Sequence, residues 1–360
     1  MKIFTDYHHA DLYYSLHSLF EKRLDIEIYR PVCEKTWFNP SETPDFVKMG
    51  VWRMHNAHRV DNPVERDLPF WHQYLTLGCG EQNIWRGYKR DEHERVHFIW
   101  NEIHDYYHRT IDFRTFKDME FDIIMPTHTF HYESYRKLLE YQPKAKYVCH
   151  VGNSDQIVNN EICENIIHSM PYHGTNKNKV YVHQELDSKL YRPTDINPNT
   201  KNLFAICHLY QFSEIYEECQ EQLKDDVNMR YYGINCPDGT LSGTKAVGDK
   251  MQEANLGWST KYWGGFGHTN MAWSYSGRAL VTNMSEHIKQ GGECLKMYEP
   301  GVTCIDLDSS TTHENCKLIR KWLEPENAQK YGNNAKKRFH EIINYEKEAE
   351  DTKKFLENLL

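Results

Sequence analysis

Apolar and polar positions follow two different periods near the start of this chain. Lys2–Thr5 is a short apolar run that predicts a β-strand. Residues 24–29 alternate between apolar and polar and stop at a proline, which predicts a second strand. Between the two runs, apolar residues recur at helical spacing, at Leu12, Leu16, Leu19 and Phe20. The start of the chain therefore predicts a β-α-β unit.

The alternation returns after an irregular stretch. Residues 121–125 predict a buried strand, residues 131–141 a helix and residues 145–151 another strand. The second half repeats the pattern, with strands predicted at 202–207, 229–232, 279–282 and 302–307, and helices at Ser213–Leu223, 244–254 and 311–322. Strands that alternate with helices predict mostly parallel sheets and an α/β fold class.

A chain of 360 residues has the length of two domains. We predict a first α/β domain over residues 1–172, in which residues 37–118 form an elaboration with one helix over 92–108. Residues 171–178 are rich in turn-forming residues and are interpreted as a linker. A second α/β domain is predicted over residues 173–325. The remaining residues, 326–360, predict charged helices with a partial apolar stripe.

Composition narrows the function classes. The net charge of −9 argues against a non-specific nucleic-acid binder, which needs a broad basic surface. No window of about 18 apolar residues exists, so no membrane span is predicted. The 10 cysteines show no C-x-x-C spacing, and the N-terminus has no apolar signal core. We therefore expect a cytoplasmic protein with reduced thiols.

The segment with the clearest chemistry is a glycine-rich loop that leads into a predicted helix. Gly264, Gly265 and Gly267 precede a first helical turn that holds His268 and Thr269. Glycines allow the backbone to approach a phosphate closely, and the start of a helix favours an anion. Two nearby cations could assist a diphosphate, Lys261 and Arg278. An ordinary helix start after a glycine-rich turn explains the spacing equally well.

The run from Gly267-His268 to Ser276-Gly277-Arg278 resembles the donor-site helix of group 1-like glycosyltransferases of the GT-B fold, with Ala279 where many relatives have proline. This resemblance implies two Rossmann-like domains that face an interdomain cleft, and a C-terminal helix that crosses back to the first domain. It implies a nucleotide-sugar donor such as a UDP-sugar, no cofactor and no metal. The donor contacts that it implies are Lys261, Gly265, Gly267, His268, Thr269, Arg278 and, as a further candidate, Glu185.

In this fold the resemblance places the acceptor on the first domain, where ligands collect at the carboxyl ends of strands. After the first predicted strand, His8 or His9 with Asp6 or Asp11 could serve as a catalytic base. Later strand ends add His128 as a further base and, as acceptor contacts, His131 and Asn153. Solvated or capping loop residues explain the same positions without catalysis.

Two further hypotheses compete with sugar transfer. His93-Glu94-x-x-His97 matches a zinc-hydrolase motif, in which a helix brings both histidines to one face. A charged, solvated helix explains the same residues. The third hypothesis is a sugar-nucleotide-binding module without catalysis.

The acceptor is left open between a polysaccharide or other glycan, a lipid-linked sugar, a protein and hydroxymethylated DNA bases. A local basic-aromatic patch would suit nucleic acid, and an exposed helix face is the alternative explanation. The patch consists of Trp85, Arg86, Tyr88, Lys89, Arg90 and Arg95.

Overall fold

The chain forms two compact units in a computed structural model. The structure describes residues 1–6, 10–31, 85–90, 96–100, 109–111, 113–127, 132–152, 157–170, 172, 174–234, 236–241, 243–260, 267–291 and 293–360. Unit 1 comprises Met1–Glu185 together with Tyr345–Leu360, and unit 2 comprises Leu186–Asn344. The sequence prediction placed the boundary at 172/173. The difference arises because the supposed linker leads into a strand that pairs within unit 1.

Unit 1 contains ten strands and a terminal helix among its described residues. The strands are β1 (Lys2–Thr5), β2 (Glu27–Pro31), β3 (Trp85–Arg90), β4 (Val96–Trp100), β5 (Arg109–Ile111), β6 (Ile123–Met125), β7 (Lys146–Tyr147), β8 (Cys149–Val151), β9 (Asn165–His168) and β10 (Asn178–Tyr181). The helices are α1 (Ala10–Leu16), a π-helix (His17–Arg23), α2 (Phe113–Asp118), α3 (Tyr132–Arg136), a 3-10 turn (Lys137–Glu140) and the C-terminal helix (Tyr345–Glu357).

The main sheet of unit 1 is parallel, with strand order β5-β2-β1-β6-β7. A second parallel sheet has the order β10-β9-β8. The predicted helical spacing after β1 is confirmed, because its four apolar residues are all buried in one cluster with Ile3 and with Ala349 and Leu356 of the C-terminal helix. Burying side chains of this size stabilises the fold by about 1.5–3 kcal/mol each.

The helix predicted over 92–108 is wrong, because Val96–Trp100 is a strand. It pairs antiparallel with Trp85–Arg90, which brings Trp85 opposite Trp100. Valine, isoleucine and aromatic residues favour a pleated strand over a helix, and the partner strand is close in sequence. His97 therefore lies on a strand, and the helical spacing on which the zinc hypothesis depends is lost. The part of the basic-aromatic patch within Trp85–Arg90 likewise lies on β3 and not on a helix face. His93, Glu94 and Arg95 lie outside the described residues.

Unit 2 is a doubly wound α/β domain. Its strands are β11 (Asn202–Leu209), β12 (Asn228–Ile234), β13 (Leu256–Ser259), β14 (Leu280–Thr282) and β15 (Cys304–Asp306), all parallel in the order β12-β11-β13-β14-β15. Its helices are α4 (Ser213–Leu223), α5 (Gly243–Glu253), α6 (His268–Tyr275), α7 (Met284–Gln290), α8 (Thr312–Trp322) and α9 (Pro325–Ile342), with 3-10 turns at Glu293–Met297 and Leu307–Ser309. The strand order changes direction between β11 and β13.

The core of unit 2 is built on buried aromatic residues. Trp258 of β13, Tyr216 of α4 and Trp322 of α8 share one cluster and are almost fully buried. The residue ahead of α8, Thr311, caps the helix by accepting a hydrogen bond from the backbone N–H of Glu314 at 3.4 Å. Of the helices within the described ranges, none has the length and apolar character needed to span a bilayer.

Candidate functional site

The site is best defined in unit 2, where helix α6 begins beside the carboxyl ends of the parallel strands. It follows β13, one of the two strands at which the strand order reverses. In open α/β sheets, ligands bind outside the carboxyl ends of strands at such a reversal. The residue ahead of the helix is Gly267, which has φ 76° and ψ 30°. This left-handed conformation is natural for glycine and strained for other residues.

The first turn of α6 carries two of the predicted donor contacts, His268 and Thr269, and both are half-buried. The His268 ring packs edge-on against the Tyr191 ring, with 5.8 Å between their centroids. The first helical bond runs from the Met271 N–H to the Gly267 carbonyl at 2.9 Å. Because the first N–H groups of any helix lack partners within the helix, this end carries partial positive charge. The arrangement suits a phosphate or diphosphate.

A buried chain of hydrogen bonds attaches the start of α6 to two strand ends. The hydroxyl of Ser259, the last residue of β13, donates to the carboxamide oxygen of Asn270. The Thr282 hydroxyl, at the end of β14, donates to the Ser259 carbonyl at 2.6 Å and lies 3.0 Å from Nε2 of His287. This network was not predicted from the sequence. Its signal was a polar residue at the end of each buried strand run, at Ser259 and Thr282.

Close packing against glycines explains the rest of the motif. A Cβ on Gly257 would lie 2.6 Å from side-chain atoms of Trp273 and Leu280, so only glycine lets α6 pack this close to β13. At the other end of α6, the Arg278 N–H donates to the Trp273 carbonyl across Gly277, which has φ 74°. The small-residue-Gly-Arg run therefore ends the helix and starts β14.

The predicted contact between Arg278 and a diphosphate is wrong in this structure. Arg278 is fully buried, and its guanidinium makes six hydrogen-bond contacts, in which one N–H is shared, with acceptors in three neighbouring segments. The acceptors are the carbonyls of Ala254, Thr194, Ser276, Gly277 and Gln252 and the Thr194 hydroxyl. Burial lowers the pKa of Arg278 from its ordinary value to about 10, which the charge of Asp195 partly opposes. The side chain holds the domain together instead of facing a ligand.

Two other donor residues of the prediction, Lys261 and Gly265, lie outside the described residues. Glu185 belongs to unit 1, where its carboxylate forms an ion pair with Arg23. A donor contact by Glu185 stays a prediction. Among the residues that the structure describes, no group of three or more His, Cys, Asp or Glu side chains could hold a metal ion.

On unit 1, a buried carboxylate lies where β1 and β6 end. Oδ1 of Asp6 accepts hydrogen bonds from the backbone N–H of Thr127 at 2.9 Å and from its hydroxyl at 2.5 Å. The Thr5 hydroxyl donates to the Met125 carbonyl at 2.6 Å and ties the same two strand ends. Asp11 lies in α1, and its side chain is not described. The other predicted residues of this side lie outside the described residues: His8, His9, His128, His131 and Asn153.

The comparisons with known proteins give no match by sequence and many matches by structure. No protein-family model matches the sequence, and no curated protein matches it. Solved glycosyltransferase structures match along the whole chain. Sucrose-phosphate synthase from Thermosynechococcus elongatus has a TM-score of 0.58 at 10% identity and covers 100% of this chain and 99% of its own.

Two further structures give the same result. HepE from Anabaena, solved in complex with UDP and glucose, has a TM-score of 0.57 at 10% identity and covers 100% of both chains. TarM, from S. aureus, has a TM-score of 0.58 at 10% identity and covers 99% of this chain and 98% of its own. At such low identity, a structural match establishes the fold. The chain has the α/β fold of the GT-B glycosyltransferases.

Proposed function

We propose that this protein is a glycosyltransferase that moves a sugar from a nucleotide-diphosphate sugar to an acceptor hydroxyl. The observation that carries the proposal is the start of α6, with left-handed Gly267 and half-buried His268 and Thr269 at the carboxyl end of β13. In this proposal, the helix start holds the donor diphosphate together with Lys261 and Gly265, which precede it in the sequence. A nucleoside diphosphate that departs from the sugar gains negative charge, which this end of the helix stabilises.

The nucleotide that we propose is uridine diphosphate. The support comes from structures of the same fold: HepE was solved with UDP-glucose, and the pneumococcal O-GlcNAc transferase GtfA with UDP and GlcNAc. The diphosphate is held by protein dipoles and cations in this scheme, so we propose a reaction that needs no metal and no cofactor.

The acceptor hydroxyl must lose its proton as the sugar is transferred. We propose His8 or His9 as the general base, with Asp11 or His128 as alternatives, and His131 and Asn153 as acceptor contacts. Asp6, which is buried and precedes both histidines closely in the sequence, would anchor the start of that segment. For the acceptor we propose a hydroxyl of a glycan or of a hydroxymethylated DNA base. Transfer assays with radiolabelled UDP-sugars on both acceptor classes distinguish them.

A cytoplasmic location belongs to the same proposal. The cysteines that the structure describes are thiols and form no disulfides, in agreement with a reducing compartment.

Isothermal titration with UDP, ADP, GDP and CDP tests the donor site. We expect UDP to bind in the micromolar range, and His268→Ala to weaken binding about tenfold, or about 1.4 kcal/mol. His313→Ala changes an exposed histidine of α8 in the same unit and should leave the affinity unchanged. EDTA should not alter binding or transfer. If none of the nucleotides binds with a dissociation constant below about a millimolar, the proposal is refuted. Tight binding without transfer or donor hydrolysis would indicate a non-catalytic binding module.

A further inference from the structure

The two connections between the units meet at a single side chain of unit 1. The chain leaves unit 1 after Glu185 and returns to it at Tyr345. Arg23 is the last residue of the π-helix that continues α1, and it contacts both places. π-helical segments are rare and often mark functional positions.

The segment through which the chain leaves unit 1, which ends at Glu185, is held by a bidentate ion pair. Nη1 and Nη2 of Arg23 both donate to the carboxylate of Glu185, the second at 3.1 Å. Both side chains are mostly buried, with 18% and 15% of their surface exposed. The backbone N–H of Glu185 donates to the Ser15 hydroxyl of α1 at 2.9 Å. The last residue of the outgoing segment is thus fixed through both its backbone and its side chain.

The returning connection is bound by the same guanidinium. Nε of Arg23 donates to the carboxylate of Glu346 at 2.8 Å, and its Cζ lies 5.7 Å from the centre of the Tyr345 ring. The Tyr345 hydroxyl in turn donates to the carbonyl of Gln184 at 3.5 Å. The start of the C-terminal helix and the end of the outgoing segment therefore share partners.

A second link lies one helical turn further along. The Glu348 carboxylate accepts the backbone N–H of His183 at 2.7 Å and lies 2.7 Å from Nδ1 of the same residue. The His183 side chain is only 4% exposed. The segment after β10 is thus joined to the C-terminal helix at two successive points.

We propose that Arg23 is a clamp that couples the two segments of unit 1 at which the chain leaves and returns, so that these two segments loosen together. A guanidinium is planar and offers a rigid fork of donors, so it can hold the Glu185 carboxylate on one side and Glu346 on the other. Groups that share one hydrogen-bonded network are energetically coupled, so weakening one contact is felt at the other. The clamp needs no ligand and stands apart from the proposed sugar transfer.

Hydrogen exchange on the full chain tests the clamp. Glu346→Gln removes the charge of a carboxylate that is 76% exposed, so the fold should persist. The expected result is exchange about threefold faster in residues 345–352 and also in residues 182–187, which the substitution does not touch directly. Arg23→Gln should accelerate both segments by about tenfold or more, because it leaves Glu185 mostly buried without its partner.

Two matched variants complete the test. Lys22→Gln removes a neighbouring cation that lies over the Tyr14 ring, and it should leave both segments as in the unaltered protein. Arg23→Lys keeps the charge but loses the planar set of donors, so the exchange rates of both segments should be closer to those of Arg23→Gln than to those of the unaltered protein. Faster exchange confined to residues 345–352 in Glu346→Gln overturns the clamp. The Glu346→Gln result decides the matter even where Arg23→Gln unfolds unit 1.

Discussion

Replacing Arg278 by methionine separates a structural role of this residue from a ligand-binding one. Methionine approximates the length of the side chain but has no donor, so the carbonyls of Ala254, Thr194 and Gln252 and of the helix end lose their hydrogen bonds. Each buried carbonyl left without a donor costs about 1–3 kcal/mol. If relaxation and water satisfy all but two of them, the loss is about 4 kcal/mol.

Thermal unfolding measures this loss. For a domain of about 150–250 residues, 1 kcal/mol lowers the melting temperature by about 2–4 °C, so Arg278→Met should lower it by about 8–16 °C. Arg338→Met is the matched control, since Arg338 is 42% exposed on α9 and pairs with Glu341. Its effect should stay within about 0.5 kcal/mol. An Arg278→Met protein that melts normally but no longer binds UDP would refute the structural role and restore the diphosphate contact.

Two smaller predictions follow from packing and charge. Gly332→Ala should destabilise unit 2 by about 1–3 kcal/mol in urea unfolding, because the new Cβ would lie 2.1 Å from the carbonyl oxygen of Gly277; unchanged stability would contradict the close approach. Burial raises the pKa of Glu21, but the hydrogen bond and charge of His17 together with Arg109 outweigh it, so the pKa lies below its ordinary value. The resulting stabilisation should be present above the pKa of a glutamate in the unfolded chain and be lost as the pH falls through the lower pKa of the folded state. Glu21→Gln should therefore reduce the loss of stability in acid, and an unchanged acid dependence would contradict this.

The sequence predicted those elements whose pattern is local. The helix at Ser213–Leu223 has the predicted bounds, because its apolar residues recur on one face and are buried there. Strand β13 (Leu256–Ser259) was missed, since it is only four residues long and contains Gly257. The helix predicted over 92–108 failed because charged residues at helical spacing outweighed a short apolar run with strand propensity. Pairing with a neighbouring strand decided the outcome, and pairing cannot be seen in a single segment.

The candidate site, too, was predicted where its pattern is local and missed where it depends on distant residues. The glycine-rich run correctly indicated the start of α6 at Gly267-His268. It could not indicate that the donors of Arg278 are taken by distant carbonyls, because those acceptors come from residues up to 84 positions away. Arginine in a motif looks the same whether it faces a ligand or the core. Which of these two roles the arginine has depends on tertiary packing.

Hydrogen exchange with saturating UDP tests whether the start of α6 is the donor site. We expect slower exchange at the backbone amides of residues 267–271, where α6 begins, with little change in the sheet of unit 1. A UDP complex that protects other parts of the chain and leaves residues 267–271 unchanged would contradict the proposed donor site.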